Sequence, residues 1–322
     1  MSALVLPKIE SDATTQNYGR FIIGPLDKGA IATLTQQPEL PVPTLGLNYA
    51  APAANDRLYQ FSLAPEDEAR EVAERAWQAG HTQAAVLVPN NPLGERLTSA
   101  FTERWHELGG NVVSESRYQN DKNDFATPIK MLLNISDSER RERRIRQLLG
   151  ERVEYTPRRR QDIDFVFLAA SPRQARLIRP QMKFHHAGDL PLLATSHLFG
   201  GKHNRAQDRD MDDILFCDMP WTLNAPSTRQ ELKHQHTVEF KPHGGQLQRL
   251  LAMGIDAYQL VPLLPVLESH PYEHYRGESG KLRVAEGRRI DRRLQWARFE
   301  RGIAKLQQET VTDDETVWQN QP

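Results

Sequence analysis

The sequence predicts an α/β protein of two lobes, each a parallel sheet flanked by helices. At 322 residues the chain exceeds the roughly 100–200 residues of one domain, so two lobes are expected. Apolar strand-length runs alternate with helix-length amphipathic runs, the pattern of parallel strands covered on both faces. The run "DIDFVFLAA" is apolar without alternation, as a strand buried on both sides requires.

Residues 20–47 give a strand, "RFIIGPL", a short helix from Asp27 to about Thr35, and a second strand, "VPTLGLN", after a proline-rich turn. "PEDEAREVAERAWQAG" then sets Ala69, Val72, Ala73, Ala76 and Trp77 on one helical face, with proline and acids at the start and Gly80 at the end. A strand over 84–88 leads through "NNPLG" into a helix with Leu97, Ala100, Phe101, Trp105 and Leu108 facing inward, and "NVVSESRY" follows as a strand.

Between Ser138 and Arg160 stand nine arginines against four glutamates, with Ile145, Leu148 and Leu149 as the few apolar anchors, which reads as a surface helix followed by a basic loop. Alternation resumes with the strand "DIDFVFLAA", a helix opened by Ser171 and Pro172, the strand "LPLLATSHLFGG", and the strand "DILFCDMPW". The segment "GGQLQRLLAMGIDAYQLVPLL" is a long helix with Leu247, Leu250, Leu251, Gly254 and Tyr258 in phase. "GESGKLRVAEGRRIDRRLQWARFERG" reads as two short antiparallel strands around Glu286 and Gly287, and the polar tail after Lys305 is expected to be disordered.

Charge is balanced, 41 Lys and Arg against 42 Asp and Glu, so no global field draws nucleic acid or an acidic membrane. The single cysteine, Cys217, excludes an intramolecular disulfide and a CxxC site. No run approaches the ~18 apolar residues of a spanning helix, and "MSALVLPKIESDATTQ" has no signal-peptide pattern, so this stretch is expected to carry no membrane anchor of its own.

A phosphate loop needs closely spaced glycines whose amides reach the anion; "NNPLGER" has one glycine and a proline, and the Rossmann pattern is missing. Neither Gly-x-Ser-x-Gly nor Ser-x-x-Lys occurs, and Ser196 beside His197 is no dyad on a strand, where neighbours point to opposite faces. Histidines gather at His185, His186, His197 and His203 and at His234, His236 and His243, without carboxylates or cysteines at ligand spacing. No catalytic residue, metal or cofactor is therefore assigned.

Several segments resemble one family. "FIIGPLDK", "PTLGLN", "YQFSLAPEDEAREVAERAW", "YTPRRRQDIDFVFLAASPRQARLIRPQMKFHHAGDLPLLATSHLF", "AMGIDAYQL" and "GESGKLRVAEGRRIDRRLQWARFERG" are similar, in this order, to LpoA-type penicillin-binding-protein activators, the YraM or LppC family. The resemblance covers about residues 18–304. It implies a type I periplasmic-binding-protein-like fold and an outer-membrane lipoprotein on the periplasmic side. It further implies a non-catalytic regulator that contacts a class A penicillin-binding protein, with peptidoglycan as a further partner, and stimulates peptidoglycan synthesis. The family's helical-repeat domain and lipidated cysteine are not in this sequence, and the segment before "GPL" is too short for the fold's first strands, so either the sequence is a fragment or the first lobe is incomplete with an exposed sheet edge.

On this reading lobe 1 comprises about 18–62 and 215–262, lobe 2 about 65–210 and 276–302, and 305–322 a disordered tail. Loops at strand carboxyl ends, where open parallel sheets place ligands, nominate Gly24, Pro25, Asn48, Tyr49, Asn90, Asn91, Ser196 and His197 as cleft residues. Turn and capping roles explain the same residues equally well. Charge excess nominates Arg141, Arg144, Arg158, Arg159 and Arg160 for docking the synthase. The competing reading is a periplasmic solute receptor holding an amino acid or small peptide between the lobes.

Overall fold

The computed structural model describes residues 4–5, 20–149, 158–226 and 244–307; His234, His236, His243 and the tail from Gln308 lie outside the described residues. The chain divides into two units, Met1–Glu71 with Met219–Leu294, and Val72–Asp218 with Gln295–Pro322.

The first unit is built on a seven-stranded sheet ordered Leu4–Val5, Ile22–Ile23, Thr44–Gly46, Leu58–Phe61, Arg289–Arg293, Lys281–Val284 and Tyr275–Arg276. The four strands from Ile22–Ile23 to Arg289–Arg293 run parallel, and the outer pairings are antiparallel. Helix Lys28–Thr35 starts where Asp27 caps it, Oδ1 accepting the Ala30 N–H at 2.8 Å. Leu45, Phe61, Ala257, Leu260, Leu282 and Ile290 are fully buried at the core.

Helix Gly245–Leu260 does not bury the stripe that its leucines suggest. Its buried face is Ala252, Met253, Asp256, Ala257 and Leu260, while Leu247, Leu250 and Tyr258 are 48, 42 and 45% exposed. The reason is Asp256, which is fully buried. Its carboxylate accepts the Glu278 N–H at 2.9 Å, the Ser279 N–H at 2.6 Å and the Ser279 hydroxyl at 2.5 Å. A β-carbon on Gly277 would collide with this carboxylate, and one on Gly280, at φ +147°, would collide with the Arg293 carbonyl. The "GESG" segment is thus a turn fitted around one buried carboxylate, which fixes the face that the helix presents to the sheet.

The second unit has the sheet order Ile303–Leu306, Gln295–Glu300, Leu215–Asp218, Leu192–Ala194, Phe165–Leu168, Gln83–Pro89 and Asn111–Tyr118. The five strands from Leu215–Asp218 to Asn111–Tyr118 are parallel, with an antiparallel hairpin added beside Leu215–Asp218. Residues Ala84–Val88 are completely buried, as a strand covered on both faces must be. Helix Pro92–Glu107 covers it with Phe101 stacked on Phe167, ring centroids 4.4 Å apart, and Trp105 edge-on to Phe165 at 5.3 Å. Cys217 is buried in the sheet.

Three expectations change. The strand Leu215–Asp218, assigned to lobe 1, belongs to the second unit because it pairs with Leu193–Ala194 and Gln295–Arg298. Residues 276–294, assigned to lobe 2, belong to the first unit because Arg289 and Ile290 pair in parallel with Gln60 and Phe61. Lys305 lies in a strand rather than in a tail.

Replacing Asp256 by alanine leaves three donors of the 277–280 turn without an acceptor. The expected loss is about 2 kcal/mol of unfolding free energy, with a smaller loss for Asp256→Asn, read from urea denaturation.

Candidate functional site

In the second unit the chain runs from Gln83–Pro89 to Asn111–Tyr118 on one side and then to Phe165–Leu168 on the other. Strand order therefore reverses at Gln83–Pro89, and open α/β sheets bind ligands beyond the carboxyl ends of strands at such a point. The loops there are Asn90–Asn91 and Ala169–Ser171, each opening a helix.

Asn91 is the cap of helix Pro92–Glu107: its Oδ1 accepts the Gly94 N–H at 2.8 Å. Gly94 is required because a β-carbon there would fall on the Pro89 carbonyl. The loop glycine lets the helix start close against the strand end, which is a packing role and not an anion nest. Asn90 is exposed, and its N–H donates to the Tyr118 carbonyl at 2.8 Å.

The neighbouring loop is closed by residues that sequence reasoning passed over. Gln174 Oε1 accepts from the Ser171 N–H at 2.9 Å and the Ser171 hydroxyl at 2.8 Å, completing a capping box. Gln174 Nε2 donates to Asn120 Oδ1 at 3.0 Å, and the Tyr118 hydroxyl donates to the Ala169 carbonyl at 2.7 Å. Burial pushes the Tyr118 phenol above its ordinary range, so it stays a neutral donor. The signal was present as Ser-Pro-Arg-Gln, a hydroxyl followed three residues later by an amide at the start of a helix.

Two strands away, Ser196 and His197 lie in a short 3-10 turn, Ser196–Leu198, rather than on the strand. Ser196 is buried, and His197 Nδ1 lies 3.2 Å from the Thr195 hydroxyl. Thr195 is wholly buried.

The first unit brings Gly24, Pro25, Asn48 and Tyr49 together at its own carboxyl edge. Asn48 Nδ2 donates to the Leu26 carbonyl at 3.1 Å, and the Leu47 N–H donates to the Pro25 carbonyl at 2.9 Å. Gly24 occupies φ +119° and is followed by a cis peptide to Pro25. The Tyr49 hydroxyl donates to the Ile290 carbonyl at 2.6 Å, and the Arg289 guanidinium lies 4.0 Å above its ring. Burial first, then the Asp67 charge, push the Tyr49 phenol above its ordinary range. All eight nominated residues thus make turn, capping or anchoring bonds within their own unit.

Beside this edge lies a cluster of charge. Glu71 accepts the Leu294 N–H on both carboxylate oxygens, each at 3.0 Å, yet burial pushes its carboxyl up to about 7. Arg292 and Glu68, both buried, approach to 3.6 Å.

The "LppC putative lipoprotein" family model matches residues 6–302. The chain belongs to the LppC family. Among curated relatives of the LppC chain, the "Penicillin-binding protein activator LpoA" of Vibrio cholerae is 29% identical over 306 residues, 92% of this chain and 49% of the relative. That of Photobacterium profundum is 27% identical over 92% of this chain and 47% of its own length. The LppC chain therefore spans about half the length of the curated relatives it matches. Among solved structures, the "LpoA (YraM) C-domain from Haemophilus influenzae, a regulator of PBP1A" superposes with a TM-score of 0.66 at 22% identity, covering 89% of this chain and 82% of that one. A "putative branched-chain amino acid ABC transporter" from Chromobacterium violaceum superposes at 0.63 with 28% identity, covering 87 and 80%. The fold is that of type I periplasmic binding proteins.

The arginines that charge excess nominates separate into two sets. Arg159 is largely buried: it donates to the His186 carbonyl at 3.0 Å and pairs with Asp189 at 2.5 Å. Arg160 forks onto Asp162 at 2.7 and 2.6 Å and donates to the Val113 carbonyl at 2.7 Å, so Arg160 ties the loop to the sheet while Arg159 ties it to the segment after helix Pro172–Phe184. Arg141, Arg144 and Arg158 are exposed.

Asn91→Ala removes a helix cap and is expected to cost about 1 kcal/mol, while Asn90→Ala stays within about 0.5 kcal/mol, both read from urea midpoints. Glu71 has a folded pKa of about 7, raised above 4.5. Its contribution is complete below about pH 4.5 and is lost as pH rises through about 7. Glu71→Gln stays neutral throughout, so the stability of the natural chain relative to that variant should fall by about 1 kcal/mol from pH 5 to pH 8, a figure limited by solvent screening of a half-buried group.

Proposed function

We propose that this chain regulates a class A penicillin-binding protein, stimulating peptidoglycan synthesis through protein–protein contact and performing no chemical step itself. The observation that carries the reading is the family match over residues 6–302, joined to curated relatives named as penicillin-binding protein activators. The lipoprotein family also supports a place on the periplasmic side of the outer membrane.

The docking surface proposed is helix Ile135–Leu149. Arg141, Arg144, Ile145 and Leu148 recur at helical spacing on one face, and Ile145 and Leu148 are 46 and 77% exposed. Arg158 adds a further exposed charge. A face that mixes guanidinium groups with aliphatic side chains fits a partner surface of acidic groups around an apolar depression. Arg159 and Arg160, with their internal bonds, serve by holding the loop that follows.

Changing Arg141, Arg144 and Arg158 together to glutamate should abolish pull-down of the class A synthase and remove most of its stimulation, with the thermal midpoint unchanged. Unaltered capture and stimulation would place docking elsewhere.

A second reading, a solute receptor for an amino acid or small peptide, is favoured by the structural likeness to the Chromobacterium violaceum transporter protein. A receptor should gain about 2.7 kcal/mol of stability at a hundredfold excess of ligand over its dissociation constant. A screen of amino acids and muropeptides that gives no thermal shift would count against it.

A further inference from the structure

Helix Gly245–Leu260 of the first unit packs one face on the sheet and turns the other to solvent, and the outer face carries no charge. Its exposed positions are Gln246, Leu247, Leu250, Gly254 and Tyr258, although 26% of the chain is Asp, Glu, Lys or Arg. Leu250, Leu251, Gly254, Ile255, Tyr258 and Gln259 line a groove of about 430 Å³ along it. A continuous apolar stripe rimmed by polar residues marks a surface that meets another molecule.

Gly254, in the middle of the stripe, points the same way. Glycine weakens a helix interior, so its place here calls for a contact that a side chain would block. Within this chain there is none: beyond its chain neighbours and its own helix's backbone, a β-carbon at Gly254 meets no atom within 4 Å. The bare backbone therefore serves an approach from outside the chain, such as that of a second helix laid across the groove.

The pattern about Gly254 identifies that helix. Leu250 and Tyr258 stand four residues to either side of it, and Leu247 and Val261 seven. Residues at these offsets share a helical face. A twofold axis through Gly254 thus sets Leu250 of one copy against Tyr258 of the other, and Leu247 against Val261, each pair occurring twice. An uncharged face can meet itself. Helix Ile135–Leu149, with Arg140, Arg141, Arg143, Arg144 and Arg146 exposed, would repel its own copy. We infer that two copies of the chain associate antiparallel through helix Gly245–Leu260, with Gly254 at the twofold axis. The face from Leu247 to Val261 is about 21 Å long, and one helix pair of that length buries less than the ~1,200 Å² of a standard interface. The dimer is accordingly weak, with a dissociation constant on the order of tens of micromolar. No residue of this face lies in helix Ile135–Leu149, so self-association and synthase docking are separable.

Sedimentation equilibrium of the full chain from about 5 to 300 µM is the test, and the mass should rise from monomer toward dimer across that range. Gly254→Leu finds open space within its own chain, so its thermal midpoint should hold or rise while its dissociation constant increases about tenfold or more. Leu250→Glu should weaken association as much, with the midpoint of the monomer unchanged. Gly254→Cys should form a covalent dimer on mild oxidation and Glu103→Cys, exposed on helix Pro92–Glu107, should not; the natural Cys217 is buried and takes no part. A monomer throughout the range, affinity kept within about twofold in both variants, or equal cross-linking by both cysteines would overturn the inference. So would a Leu250→Glu monomer of lowered midpoint, which assigns the face to the chain's own packing. Loss of synthase capture by a monomeric Leu250→Glu chain would assign the face to that partner and overturn it too.

Discussion

The second unit depends on one constraint: Gln83–Pro89 is hydrogen-bonded in parallel on both sides, to Asn111–Tyr118 and to Phe165–Leu168. A strand so placed has no free edge, and its faces are covered as well, since Ala84–Val88 are buried completely. Parallel neighbours demand crossover helices, and the crossover out of this strand must begin at Pro89 with little room. Gly94 and Asn91 follow from that: the glycine admits the helix against the Pro89 carbonyl, and the asparagine satisfies a helix-start amide. The same logic fills the neighbouring loop with the Ser171, Gln174, Tyr118 and Asn120 bonds.

A carboxyl edge so fully bonded to itself has a consequence for function. The polar atoms that sequence position marks as binding groups hold the turns in place, in the first unit as in the second. A face turned outward lies elsewhere, on a helix that carries guanidinium groups and the side chains of Ile145 and Leu148 into solvent. A rigid scaffold that presents such a face suits recognition by contact, which is the role the LppC relatives' names suggest.

The sequence disclosed what is local. The helix from Pro65 stands where proline, acids and alanine periodicity place it, and three acids occupy its first turn. The buried strand at Phe165–Leu168 was legible from its unbroken apolar run. Membership in a sheet was not legible, because it is decided by distant partners: a strand at 289–293 shows its period in its own residues, but its pairing with Gln60 and Phe61 does not. The orientation of helix Gly245–Leu260 was hidden for a similar reason. Its leucines argue for one face, and a single aspartate bound to a turn more than twenty residues later decides for the other. Among the arginines, charge count could not separate Arg160, forked onto Asp162, from Arg141, which faces solvent.

The central claim is that this LppC chain meets its partner through the basic helix and not through the loops at the strand carboxyl ends. Hydrogen exchange of the chain, alone and with a class A penicillin-binding protein, tests it most directly. Slowed exchange across Ile135–Leu149 and around Arg158, with Asn90–Asn91 and Thr195–His197 unchanged, is the expected result. Protection at those loops with an unaltered helix would contradict the account.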